Sequence, residues 1–126
     1  MNVIFLGTPE FAVMALEKIH KSNHKIVAVV AQEDRPNGRG NKLTPPAVKV
    51  KALELGLPVF QFKKIKQDGV EVLKNLNADI MVTCAYGQIL SQEIIDICPY
   101  GIINVHGSLL PKYRGASPIQ SSIING

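Results

Sequence analysis

At 126 residues and 46% apolar content, the chain is one domain's worth of sequence with enough apolar surface to bury a core. Fourteen Lys and Arg against ten Asp and Glu give a formal charge of +4, a mild lean toward anionic partners. No apolar run approaches the roughly 20 residues of a membrane helix. The start, Met1 to Leu6, lacks the basic segment of a signal peptide, and Cys84 and Cys98 suggest neither a disulfide framework nor a metal site. A cytoplasmic protein with no membrane contact is expected.

Asn2 to Leu6 is apolar apart from its first residue and reads as a strand covered on both faces. Gly7-Thr8-Pro9-Glu10 turns it into a helix, with Thr8 as the expected cap and Pro9 suited to the first turn. Ala12, Leu16 and Ile19 form its inward stripe. Lys25 to Ala31 is a second strand. Gly7 is a lone glycine, not the G-x-G-x-x-G pattern, so a nicotinamide dinucleotide is not indicated. Backbone N–H groups at this helix start could still receive a hydroxyl or an anion.

Residues 32–44 read as a long loop, because Pro36, Gly38 and Gly40 oppose regular structure. Arg35, Arg39 and Lys42 are spaced along it, with apolar Leu43 near its end. That pattern suits a basic finger meeting phosphates, with an apolar wedge against a base pair. A helix from Pro45 or Pro46 through Glu54 follows, ended by Gly56. Leu57 to Phe60 is a short third strand, placed early or at an edge by Pro58. Asp68 is expected to cap a helix through Asn75 with Val70, Leu73 and Leu76 inward. Ala78 to Cys84 is a fourth strand, Ala85 to Leu90 its exit loop, and Glu93 to Ile97 a short helix.

Ile102 to His106 is the fifth strand, and Pro118 to Ile124 starts another helix. Side chains alternate along a strand, so Asn104 and His106 are expected on one face, an amide beside an imidazole, at the strand's carboxyl end. Ligands bind there in open α/β sheets. Strands alternating with helices give an α/β class with an open, mostly parallel sheet and helices on both faces. The expected strand order is 3-2-1-4-5, which gathers the 7–9, 85–90 and 104–110 loops at one edge.

Four segments together resemble the methionyl-tRNA formyltransferase family, one of the folate-dependent formyltransferases. They are Gly-Thr-Pro-Glu-Phe-Ala at 7–12, Asp-Arg-Pro-x-Gly-Arg-Gly at 34–40, Ala-Tyr-Gly-Gln-Ile-Leu at 85–90, and Asn-Val-His-Gly-Ser-Leu-Leu-Pro-x-Tyr-Arg-Gly-Ala-Ser-Pro-Ile-Gln at 104–120. The resemblance covers essentially the whole chain. It implies a Rossmann-like fold and transfer of the formyl group of 10-formyltetrahydrofolate to the α-amine of methionyl initiator tRNA, with no metal. Asn104 and His106 would be catalytic, the amide steadying the formyl oxygen and the imidazole moving a proton. Tyr86, Gly87, Gln88, Ile89 and Leu90, with Ser108, Leu109, Leu110 and Pro111, would shape the folate pocket. Arg35, Arg39, Lys42 and Leu43 would meet the tRNA, Arg39 foremost, and Gly7, Thr8 and Pro9 its acceptor end.

The family also pairs its Asn and His with an Asp on a later strand and carries a carboxy-terminal barrel domain. Neither is in these 126 residues. The resemblance therefore implies an amino-terminal part of a catalytic domain, inactive alone and monomeric. Two rival readings share the motifs. One is a formyltransferase acting on an amino sugar nucleotide or glycinamide ribonucleotide. The other is a non-catalytic folate- or RNA-binding module.

Overall fold

The computed structural model describes residues 1–37, 42–106 and 122–123. Its strands are β1 (Asn2–Gly7), β2 (Lys25–Ala31), β3 (Arg35–Asn37), β4 (Lys42–Thr44), β5 (Val59–Gln61), β6 (Ile80–Cys84), β7 (Ile102–Asn104) and β8 (Ser122–Ile123). Its helices are α1 (Glu10–His20), α2 (Ala47–Glu54), α3 (Ile65–Asp68), α4 (Val70–Lys74) and α5 (Gln92–Ile95). The main sheet runs β5-β2-β1-β6-β7-β8. All pairs are parallel except β7–β8. Its first five strands follow the order expected from the sequence, with the winding reversed between β1 and β6.

Period-two alternation divides the apolar residues between two cores. Ile4, Leu6, Val30, Met81 and Ile102 face α3, α4 and α5, where Ile65, Leu73 and Ile94 are fully buried. Val3, Phe5, Val29, Val82 and Cys84 face α1 and α2, packing on Ala12, Leu16, Val48 and Ala52. The helix-to-sheet layers on both faces leave the strand ends as the places where loops can form a site.

Four local expectations are corrected. Thr8 does not cap α1; Pro9 stands at the cap position with no side-chain bond, and the Thr8 hydroxyl bridges two loops instead. Residues 32–44 are not irregular throughout. Arg35–Asn37 and Lys42–Thr44 pair as an antiparallel hairpin with Arg35 opposite Thr44 and Asn37 opposite Lys42. Asp68 caps backwards: its carboxylate accepts from the Lys64 N–H at 3.2 Å, four residues before it, and Gly69 separates α3 from α4. Within the expected helix at 118–124, Ser122 and Ile123 instead form β8 against Asn104 and Ile103. The other residues of that segment lie outside those described.

Candidate active site at the carboxyl edge of the sheet

The exits of β1, β2 and β6 are pinned to one another by polar groups. Thr8 Oγ1 donates to the Tyr86 carbonyl at 2.7 Å and accepts from the Gln32 N–H at 3.3 Å. The Thr8 carbonyl accepts from Val48 N at 3.2 Å, which docks the start of α2 on the same turn. Gly7 permits this closeness. A Cβ there would lie 2.8 Å from the Phe5 ring and 3.0 Å from the Cys84 carbonyl. Ala85 (φ 54°) and Gly87 (φ 105°) take left-handed backbone to turn the chain out of β6.

Gln88 fastens that turn. Its Nε2 donates to Gln32 Oε1 (2.8 Å) and the Phe62 carbonyl (2.9 Å), and its Oε1 accepts from Ile65 N (2.8 Å). Tyr86 is only 4% exposed and packs in the α3–α5 core. Its hydroxyl finds no hydrogen-bond partner among the described residues, and burial pushes its ionisation up. Ile89, by contrast, is exposed and Leu90 half-buried.

Between these turns and the hairpin lies a cleft of about 460 Å³, lined by Thr8, Pro9, Gln32, Glu33, Arg35, Thr44, Pro46, Ala85, Tyr86 and Gly87. One wall belongs to the 85–87 loop and the opposite wall to the foot of the hairpin. Arg35 and Lys42 are exposed on the hairpin, and Leu43 beside them is 67% exposed. Asp34, just before β3, accepts from Gln61 Nε2 (2.7 Å) and from Lys49 Nζ (3.1 Å). The Gln61 hydrogen bond, then the Lys49 ammonium, hold its carboxyl below the usual carboxylate range.

Asn104 closes β7, half-buried beside Thr83. The Thr83 hydroxyl donates to Asn104 Oδ1 at 2.9 Å, and Val105 N donates to the Thr83 carbonyl at 2.7 Å. Occupying Oδ1 fixes which way the amide points. Among the described residues the Asn104 Nδ2 donors engage no partner. Val105 packs into the α1–α2 core, so alternation holds through it. The strand pairing ends at Asn104, however, and His106 is exposed beyond it rather than within the strand.

The structure thus brings together the 7–9 and 85–88 turns and sets Asn104 one strand away from them, at the same sheet edge. Neither Asn104 nor His106 is among the described residues that line the cleft. Arg39, Ser108, Leu109, Leu110 and Pro111 lie outside the described residues. Gln32, Glu33, Thr44 and Pro46 carry no sequence signal of a site, and Gln32 and Gly87 are 55 residues apart, so no local pattern could join them.

Proteins of known sequence align with the whole chain, and solved structures with about nine-tenths of it. The chain is 54% identical over 128 residues to a methionyl-tRNA formyltransferase of Sulfurihydrogenibium sp. (strain YO3AOP1), with all of this chain and 41% of that one aligned. It is 54% identical over 127 residues to one from Ruminiclostridium cellulolyticum, again spanning 41% of that chain. The chain therefore spans about two-fifths of the length of these curated relatives. In structure it resembles a phosphoribosylglycinamide formyltransferase from Anaplasma phagocytophilum, with a TM-score of 0.60 at 22% identity over 90% of this chain and 52% of that one. A glycinamide ribonucleotide transformylase from Geobacillus kaustophilus gives 0.59 at 19%, over 93% of this chain and 63% of that one. At those identities the likeness concerns the fold. The formyl transferase family profile matches residues 1–126, and the chain belongs to that family.

Proposed function

We propose that this chain supplies the formyl-transfer site of an enzyme that moves a formyl group from 10-formyltetrahydrofolate to the α-amine of methionyl initiator tRNA. The observation that carries the reading is the Asn104 amide, held through Oδ1 by Thr83 at the carboxyl edge of a parallel sheet, its donor end without a partner among the described residues. The identity to relatives named for that reaction supports it, as does a hairpin that exposes Arg35, Lys42 and Leu43 beside the cleft.

The chemistry follows from these groups. The amine attacks the formyl carbon, a new N–C bond forms, and negative charge builds on the formyl oxygen. Asn104 Nδ2 donates to that oxygen, and a preorganised donor of this kind contributes on the order of 3 kcal/mol in the transition state. His106 takes the proton released by the attacking amine. Collapse breaks the bond from the formyl carbon to N10, which takes up the proton held by His106 and leaves as tetrahydrofolate. The folate lies along Tyr86, Gly87, Gln88, Ile89 and Leu90 and is met largely by backbone groups, because the Gln88 side chain is already engaged in shaping its loop. Ser108, Leu109, Leu110 and Pro111 are assigned to the folate site by their match to the family motif alone. Arg35, Arg39 and Lys42 take acceptor-stem phosphates and Leu43 a base face, while Thr8 and Pro9, behind Gly7, receive the acceptor end. No metal takes part in this chemistry.

The test is a chimera in which these 126 residues replace the matching part of the Sulfurihydrogenibium relative. It is offered 10-formyltetrahydrofolate with either methionyl initiator tRNA or glycinamide ribonucleotide. Formylation of the tRNA alone is expected. Formylation of the ribonucleotide instead would refute the reading.

A further inference from the structure

One residue links the two sides of the cleft, its side chain bonded to the 86–88 loop and its backbone to the group that holds the hairpin's foot. Gln32, at the exit of β2, donates from Nε2 to the Gly87 carbonyl at 3.1 Å and accepts at Oε1 from Gln88 Nε2 at 2.8 Å. Its own backbone carbonyl accepts from Gln61 Nε2 at 3.0 Å, and the same Nε2 donates to Asp34 Oδ1 at 2.7 Å. Lys49 Nζ donates to both Asp34 oxygens, at 3.1 and 3.3 Å. The next residue, Arg35, begins the hairpin. A continuous run of hydrogen bonds thus joins the 86–88 loop to the foot of β3. There is little slack in it: a Cβ at Gly87 would lie 2.7 Å from Gln32 Nε2.

Moving the Gly87–Gln88 backbone means stretching two bonds to Gln32. Tilting β3 means pulling Asp34 from Gln61 and Lys49. A ligand that orders one end therefore meets part of the ordering cost of the other, which is positive coupling. We propose that Gln32 and the Gln61–Asp34 pair are positioning residues that couple the two substrates. A folate against the 86–88 loop tightens RNA at the hairpin, and RNA tightens folate by the same factor. The inference rests on the folate and RNA reading above.

The test uses the whole chain, 5-formyltetrahydrofolate and an acceptor-stem RNA minihelix at one fixed salt concentration. Saturating folate is expected to lower the RNA Kd by about five-fold or more, the lower end of typical couplings. Gln61 is not among the residues lining the cleft. Gln61→Leu should leave each ligand's separate Kd within about two-fold while the coupling factor falls toward one. Asp34→Ala should do the same, and Asp34→Asn, which still offers an oxygen to Gln61, should keep the factor. Both ligands bound with a factor of one in the native chain, or a factor unchanged in Gln61→Leu, overturns the coupling alone. Hydrogen exchange on the ligand-free chain supplies an arm independent of the functional reading. Gln61→Leu should speed exchange in the hairpin and at Gly87 and Gln88 together, with the amides of β1 unchanged. An increase confined to one side contradicts the link even if neither ligand binds, an outcome that would also sink the functional reading.

Discussion

The two walls of the cleft are built differently. The 85–88 loop is tied down by side chains from three segments, Thr8, Gln32 and Gln88 itself reaching back to Phe62 and Ile65. The hairpin has its own short ladder and, among the described residues, one anchor at its foot, Asp34, while Arg35, Lys42 and Leu43 are exposed. A rigid wall suits a reacting centre, where geometry must be set before the substrate arrives. A wall of exposed cations suits a polyanion, where charge supplies affinity and close fit matters less.

The largest expected effect lies at the end of β7, one strand beyond the rigid wall. In the chimera, Asn104→Ala should lower kcat on the order of 100-fold or more with little change in the tRNA KM. Thr83→Val, which removes only the hydroxyl that orients the amide, should cost roughly ten-fold. Equal losses, or none, would mean the amide is not held for catalysis. Next comes the packing that lets the turns meet. Gly7→Ala should destabilise the fold by roughly 1–3 kcal/mol, because the new methyl meets the Phe5 ring and the Cys84 carbonyl. Urea unfolding measures it.

The hairpin should answer to a different variable. Arg35→Ala with Lys42→Ala should weaken RNA binding across sequences and reduce the slope of log K against log salt by about one for each phosphate no longer neutralised. Folate Kd should change little beyond the loss of coupling. An unchanged salt slope would remove the hairpin from the RNA interface.

The smallest effect concerns the two buried thiols. Burial, with Asp79 nearby, pushes the Cys98 thiol up to about 11, and burial also raises Cys84. A raised thiol stays protonated in the fold while the unfolded chain ionises. Stability should therefore be full below the ordinary thiol value of about 8.5 and decline as pH climbs toward about 11. Slow iodoacetamide alkylation of the native chain at pH 8, fast after unfolding, checks the same point.

The division between the walls also explains what can be read without coordinates. Strand order and the two helix layers follow from apolar runs such as Ile4-Phe5-Leu6 and Met81-Val82, whose burial on both faces is written in residue type. The family likeness of the motifs is legible for the same reason: each motif is local. The Asn104–Thr83 hydrogen bond is not, because it joins neighbouring strands 21 residues apart. The hairpin escapes a reading that weighs Pro36 and the glycines as breakers, because its two strands are only three residues each. Thr8 points to its own helix in sequence because local capping is the usual role of a threonine there. A partner 78 residues away takes the hydroxyl instead.

The most direct trial of the site is an amide NMR titration of the 126-residue chain with 5-formyltetrahydrofolate. Tyr86, Gly87 and Asn104, at the carboxyl ends of β6 and β7, should shift together and saturate with one Kd. Shifts gathered instead at the opposite ends of those strands, around Asn77 and Tyr100, would contradict a formyl-donor site at the carboxyl edge.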